Sequence, residues 1–320
     1  MFYRLIKIYA RLMIRLYCKK IVVNKPELLS VEGPVLFAAN HPNSFLDGII
    51  LTTLLDAPLY SLARGDAFKK TIAPILRKLL LLPVYRTSEG VQNLNTNYVT
   101  FSACQEAFRK KSCVLIFSEA RCVNEWKLRP LRKGTARLAF SSWQAGIPLK
   151  VIPLAFNYDC FKLFGKTVHL NFGEPIPAIF TGDTDPAGKH FNEFNEKLYE
   201  ELDPLVYKAA NASEVRTYFP ENKSLFKSFV CFLPGLAGWL LHAPLFFACK
   251  AFALFKFKKS DHYDSILTTL LLLAYPFYML IIMISLFHKT GGLSLLAIII
   301  LPLTAWCWLQ IKHLFNKKSS

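Results

Sequence analysis

Short apolar segments alternate with longer segments of helical character between residues 34 and 210, and this alternation constrains the fold of the chain more than any other feature. The predicted strands are 34–39, 59–63, 81–85, 113–117, 150–157 and 166–172. The predicted helices lie near 46–55, 68–79, 96–110, 133–144 and 191–210. Such alternation predicts an α/β fold, in which a mixed, mostly parallel sheet is covered by helices.

A histidine and a carboxylate follow the first of these strands. His41 comes directly after the apolar run, and Asp47 lies six positions later. Pro42 biases His41 away from helix and Ser44 is a good N-cap, so we expect Asp47 in the first turn of the next helix. The carboxylate could then take one imidazole N–H and leave the other nitrogen as a general base. Taken alone, Asp47 would more often be a capping residue than a catalytic one, in a capping box that Ser44 begins.

Other catalytic chemistries find little support in the sequence. No Gly-x-Ser-x-Gly elbow is present, which disfavours a serine-hydrolase nucleophile. The eight cysteines show neither a Cys-x-x-Cys pair nor zinc-ligand spacing, and several lie in apolar stretches. Buried, reduced thiols are therefore expected, which favours a compartment that faces the cytoplasm.

Three further blocks follow the His41 block in a fixed order. They are 61–68 with 81–86, then 114–121 with 128–137, then 151–155. The series resembles the PlsC-like lysophospholipid and glycerol-phosphate acyltransferase family over about residues 28–205. The resemblance implies the PlsC-like fold and direct transfer of a fatty acyl group, in phospholipid synthesis, from acyl-CoA or acyl-carrier protein. The implied acceptor is a hydroxyl of 1-acylglycerol-3-phosphate or glycerol 3-phosphate, with the acyl donor as co-substrate and with no cofactor or metal.

The resemblance also assigns roles to individual residues. His41 would remove the proton of the acceptor hydroxyl, while Asp47 would fix the imidazole tautomer. Arg86, Glu119 and Arg121 match positions that bind or order the acceptor phosphate, with Glu119 holding a cation in place. Lys133 is a further candidate for substrate binding.

Two departures from the family pattern are visible. Five residues, Pro42 to Leu46, separate His41 from Asp47 where four are usual, which is similar to a minority branch that includes fungal-type glycerol-phosphate acyltransferases. Ser118 and Ala120 replace the usual Pro and Gly around Glu119. Because alanine avoids positive φ, we expect the backbone at Ala120 to do without that conformation.

Two other functions stay open. One is an O-acyltransferase that acts on an aminoacyl lipid or another hydroxylated lipid, which would use the same base without a phosphate site. The other is a lipid-binding protein that keeps the fold without catalysis, and the altered block around Glu119 is its support.

The composition indicates a protein of the membrane surface. The formal net charge is +17 and apolar residues make up 53% of the chain. No nucleic-acid motif accompanies this charge, so anionic lipid, phosphate-bearing acceptor and acyl-CoA are the expected partners, and nucleic acid is not. Residues 1–27 are predicted to form a basic amphipathic helix in the membrane interface, or else one that packs on the catalytic core. Its cations lie within about 80° of arc; they are Arg4, Lys7, Arg11 and Arg15.

The C-terminal third is predicted to associate with the membrane. Residues 266–287 carry no charge and would measure about 33 Å as a helix, enough to cross a bilayer core of about 30 Å. Residues 293–309 form a second uncharged stretch, and lysines flank the pair on both sides, which places both ends on the cytoplasmic face of the inner membrane. Proline and glycine interrupt 225–255, for which we expect an interfacial or re-entrant segment. The predicted domains are thus 1–27, an acyltransferase domain at 28–217, and a membrane tail at 218–320.

Overall fold

A seven-stranded sheet organises the first two thirds of the chain. The computed structural model describes residues 1–85, 94–178, 187–220 and 224–315. The strands are β1 (Cys18–Val23), β2 (Val35–Ala39), β3 (Leu59–Arg64), β4 (Leu81–Val84), β5 (Cys113–Phe117), β6 (Lys150–Tyr158) and β7 (Lys166–Phe172). Their order is β1-β7-β6-β2-β5-β3-β4, and β2 runs parallel to both β5 and β6, while β3 runs parallel to β4 and β5. The predicted α/β fold with a mostly parallel sheet is confirmed.

Helices cover this sheet and bury its centre. They are α1 (Phe2–Tyr17), α2 (Phe45–Leu54), α3 (Ala73–Lys78), α4 (Leu94–Arg109), α5 (Gly134–Gln144), α6 (Ala187–Leu202) and the short α7 (Ala212–Val215). Every residue of β2 is fully buried, as expected for a central parallel strand. Leu36 and Ala38 of β2 share one apolar core with side chains of α4, α5 and α6.

Three elements differ from the sequence prediction, and one of them is α6, which begins and ends earlier than the predicted 191–210. The N-terminal helix ends at Tyr17, and Cys18–Val23 forms the edge strand β1 instead of continuing the helix. Ile21, Val22 and Val23 are β-branched residues that favour a strand. Helix α3 is also shorter than the predicted 68–79, since it begins at Ala73 with Pro74 in its first turn, where proline is favoured.

The C-terminal region is helical and apolar. It contains α8 (Leu225–Val230), α9 (Phe232–Phe257), α10 (Tyr263–Thr290) and α11 (Ala297–Ile311). Two stretches, Phe232–Phe257 and Tyr263–Leu314, are long and apolar enough to cross a membrane. Helix α9 is continuous through Pro244 and about 39 Å long, so proline and glycine do not break it. The interfacial or re-entrant placement of 225–255 stays a prediction.

Residue contacts divide the chain into two compact units. Unit 1 comprises Met1–Ile8, Val22–Asn157 and His169–Val215, and unit 2 comprises Tyr9–Ile21, Tyr158–Val168 and Arg216–Ser320. Many large apolar side chains of unit 2 are exposed; Phe255 is 86% exposed and Ile281 is 61% exposed. An apolar surface of this kind is typical of a region that contacts lipid or another protein.

Candidate active site

The candidate site lies at the carboxyl edge of the sheet, where β2 and β5 end side by side. Ala39, the last residue of β2, pairs with Phe117, the last residue of β5. The residues that follow these two strands therefore meet. His41 lies in the loop after β2, and Asp47 lies in the first turn of α2, as the sequence predicts.

The imidazole of His41 is held on two sides. Its Nδ1 is 3.0 Å from Oδ2 of Asp47, and its ring stacks on the ring of Phe117 with centroids 3.6 Å apart. The same carboxylate oxygen accepts the backbone N–H of Asn43 at 2.9 Å, so a capping-type contact and the histidine contact coexist. Because a carboxylate accepts, Nδ1 carries the proton and Nε2 is the nitrogen that can take one from a ligand.

Burial separates the roles of the two partners. The Asp47 side chain is fully buried, whereas 16% of the His41 side chain is exposed. A fixed, desolvated acceptor orients the ring, and the ring itself is open to a substrate. This arrangement suits a general base.

Glu119 connects the loop after β2 with the segment before α5. Its Oε2 accepts the backbone N–H of His41 at 3.1 Å, and its Oε1 accepts the backbone N–H of Arg129 at 3.0 Å. The side chain is buried, and burial raises the pKa of Glu119 to about 7. The guanidinium of Arg129 donates to Glu125 at 3.1 Å. Both carboxylate oxygens of Glu119 thus accept backbone N–H groups, whereas the resemblance implied that this side chain would hold a cation.

The other predicted substrate-binding residues are dispersed around this edge. Arg121 is exposed in the turn that follows Ala120, and Lys133 is exposed immediately before α5. Arg86 lies outside the described residues. Sequence reasoning did not single out Phe117, Asn43 or Arg129, although Phe117 ends a predicted strand and could have been noticed for that reason.

The backbone at Ala120 contradicts the sequence expectation. Ala120 has φ +53°, in the left-handed region that we expected an alanine to avoid. Hydrogen bonds on either side hold the turn: Ser118 N–H donates to Ala39 O at 2.8 Å, and Ala120 N–H donates to Phe117 O at 3.0 Å. The turn therefore keeps a conformation that glycine would adopt freely, at a cost of about 1–2 kcal/mol.

Metal-ligating side chains do not cluster in the described ranges. No group of three or more His, Cys, Asp or Glu residues there could hold a metal ion. None of the eight cysteines forms a disulfide, and seven of them are buried.

Comparisons with known proteins address the first half of the chain. A family model described as Acyltransferase matches residues 20–157, which include most of β1, all of β2 to β5, most of β6, and His41, Asp47 and Glu119. No curated protein matches the chain by sequence. Among solved structures, the 1-acyl-sn-glycerophosphate acyltransferase PlsC of Thermotoga maritima aligns with 62% of this chain and 78% of its own, at 14% identity and a TM-score of 0.39.

Proposed function

We propose that the protein is a membrane-bound glycerolipid O-acyltransferase, from the premise that residues 20–157 match the model of the acyltransferase family. It would move a fatty acyl group from acyl-CoA or acyl-carrier protein to a hydroxyl of 1-acylglycerol-3-phosphate or glycerol 3-phosphate. The observation that carries the proposal is the 3.0 Å contact between Nδ1 of His41 and Oδ2 of Asp47 at the edge of the sheet.

The reaction is a direct transfer. Nε2 of His41 removes the proton of the acceptor hydroxyl as its oxygen attacks the thioester carbonyl, and Asp47 stabilises the imidazolium that forms. The carbon–sulfur bond then breaks, the ester remains on the acceptor, and the imidazolium returns the proton to the leaving thiolate. A positioned base of this kind contributes about 10²–10⁴ in rate.

The phosphate of the acceptor would bind among cations near the site. Arg121 and Lys133 are exposed at the loops that border Glu119, and Arg86 is assigned to the same role by its position in the sequence. Arginine suits this task because its planar guanidinium can donate two parallel hydrogen bonds to phosphate oxygens.

The membrane would be the inner membrane of the cell, with the acyltransferase domain facing the cytoplasm. Apolar helices with exposed side chains and flanking lysines support this placement. Acyl donors that are made in the cytoplasm would then reach His41 directly.

Replacement of His41 tests the proposal. His41→Ala should lower acyl transfer by about 10²–10⁴ without unfolding the protein, because it removes the base and leaves the Asp47 contact with Asn43. The measurement is ester formation by purified protein in detergent, with circular dichroism to check folding. His169→Ala is the matched control, since His169 pairs with Tyr207 at 3.0 Å elsewhere in unit 1. Normal turnover by the His41 variant would refute the assignment.

A substrate panel identifies the acceptor and the donor. Labelled acyl-CoA and acyl-carrier protein are each offered with glycerol 3-phosphate, lysophosphatidate, other lysophospholipids and hydroxylated aminoacyl lipids. We expect labelled ester on a glycerol phosphate. Label on an aminoacyl lipid alone would replace the proposed acceptor, and tight acyl-CoA binding with no product on any hydroxyl would contradict an enzymatic function.

A further inference from the structure

An exposed surface of unit 1 takes no part in the proposed chemistry. It lies on the connection between β3 and β4, and we call residues 69–78 the crossover patch. Ile72 is 45% exposed and Ile75 is 51% exposed, three positions apart. Four exposed cations surround them; they are Lys69, Lys70, Arg77 and Lys78.

The charged residues of the crossover patch are all cations. No acidic residue occurs between Ala67 and Tyr85. Single exposed apolar side chains are ordinary on protein surfaces, but two large ones within a cationic segment form the pattern of interfacial segments that bind anionic lipid. The isoleucines would enter the boundary between headgroups and acyl chains, while the cations would meet phosphate groups.

The first turns of α1 reach the same end of β3 as Leu80, which follows the crossover patch by two residues. Tyr3 accepts the N–H of Leu59 through its hydroxyl at 3.2 Å, and the carbonyl of Leu80 accepts the N–H of Ser61 at 3.1 Å. The two anchoring points are two residues apart on one strand. The apolar side chains exposed on these turns of α1 are Phe2, Leu5 and Ile8.

Lys7 fixes these turns to the domain. Its Nζ donates to the carbonyls of Leu55, Asp56 and Ala57 at the end of α2, at 2.5, 3.2 and 3.4 Å. Lys7, one of the four cations of the predicted interfacial helix, therefore forms hydrogen bonds within the protein. The crossover patch presents four exposed cations of its own.

We propose that the crossover patch and the first turns of α1 together form a lipid-contact surface that seats unit 1 on an anionic bilayer. The inference rests on the membrane association in the proposed function and adds a contact outside the C-terminal helices. Exposed isoleucines on the patch, together with the exposed apolar side chains of α1, favour lipid over an acidic protein such as an acyl carrier.

Fluorescence quenching in lipid nanodiscs tests this surface with the full-length protein. An environment-sensitive fluorophore is attached at Ile75→Cys in a Cys160→Ser background, since the other native cysteines are buried. Glu200→Cys, exposed on α6 of the same unit, is the matched control site. Lipids brominated in the acyl chain should quench position 75 about threefold more strongly than position 200, and aqueous iodide should show the reverse. Equal quenching at the two sites would overturn the proposal.

Charge variants test the electrostatic part. Anionic lipid should increase the quenching at position 75, since it attracts the cations of the patch. Lys69→Glu with Lys70→Glu should remove this increase, because it reverses two of those charges. Lys189→Glu with Lys197→Glu on α6 makes the same change in net charge and should leave quenching intact. If position 75 is shielded only when an acyl-carrier protein is added, the surface docks that protein and the lipid assignment is wrong. The readout needs no turnover, so it can also be made in the His41→Ala protein and fails independently of the proposed reaction.

Discussion

The side chain of Glu119 joins two backbone segments that come from distant parts of the sequence. Each carboxylate oxygen accepts one backbone N–H, from His41 and from Arg129. Burial is the largest cause of its raised pKa of about 7, and the two backbone hydrogen bonds oppose that rise. Near neutral pH, Glu119 is thus present both as a carboxylate, whose two oxygens accept, and as a protonated carboxyl with one acceptor fewer.

Glu119 should make the stability of the protein fall as pH rises. The native state holds this proton up to pH about 7, whereas the unfolded chain loses it near the ordinary value of 4.5. Between pH 4.5 and about 7 the native state therefore binds more protons than the unfolded chain, and the free energy of unfolding falls by about 1.4 kcal/mol for each pH unit. Glu119→Gln should remove that slope, measured as the melting temperature in detergent from pH 5 to pH 8.

The same substitution should leave stability at pH 5 nearly unchanged. An amide, like the protonated carboxyl that Glu119 has at this pH, offers one acceptor oxygen and one donor to the two backbone groups. Glu193→Gln, exposed on α6, is the control and should change neither quantity. A wild-type slope that persists in the Glu119 variant would show that another group causes it.

Residues of the site differ in how far the sequence could predict them. The pairing of His41 with Asp47 could be predicted because one tight turn connects them, with proline and serine as local signals. The partners of Glu119 could not, since they are backbone groups that leave no trace in side-chain patterns. The conformation of Ala120 was predicted wrongly, because propensity disfavours it and only the hydrogen bonds around the turn stabilise it.

Helices α9 and α11 show what close packing requires at the scale of elements. A Cβ added at Gly238 would lie 2.1 Å from the carbonyl oxygen of Thr304, so the backbones approach closely there. Small residues permit such contacts between apolar helices, where packing replaces the hydrophobic effect as the main stabilising interaction.

Gly238→Ala should therefore separate the two helices. We expect a loss of about 1–3 kcal/mol, the usual cost of overpacking, with a lower melting temperature in detergent. Gly292→Ala is the matched control, since a Cβ there meets nothing within 4 Å. Equal melting temperatures for the two variants would contradict the tight contact.

Secondary-structure elements could be predicted from the sequence where burial requires a run of apolar residues. The bounds of β5 and β7 agree with the predicted 113–117 and 166–172, because apolar strands between polar loops are distinct. Strand β1 was missed because the basic, amphipathic pattern of α1 continues through Lys19 and Lys20 into the strand. The continuity of α9 could not be predicted from its proline and glycine residues, since proline is tolerated within apolar helices whose neighbours stabilise them.

Unit 2 contains a buried ion pair that joins three segments of the chain. Lys166 at the start of β7 donates to Asp264 in the first turn of α10, and both side chains are fully buried. Tyr17 at the end of α1 also donates to Asp264. Burial and the charge of Asp264 raise the pKa of Tyr17 well above its usual value, so the hydroxyl stays a donor.

Removal of one partner should destabilise the protein strongly. Lys166→Met leaves the carboxylate of Asp264 buried without its cation, which costs about 3–5 kcal/mol, and adding Asp264→Leu should recover part of that loss. Thermal unfolding in detergent measures both. Lys208→Met is the control, because its pair with Asp203 is largely exposed and should contribute less than about 1 kcal/mol. A double variant no more stable than the single one would show that the two charges are not coupled.

The partial exposure of His41 to solvent permits a side reaction in an acyltransferase of this kind. A nitrogen that can deprotonate an alcohol can deprotonate water as well, and 16% of this side chain is accessible. When acceptor is scarce, the enzyme should slowly hydrolyse its own acyl donor to free fatty acid. The ratio of ester to free acid would then report how completely the bound acceptor keeps bulk water from the thioester.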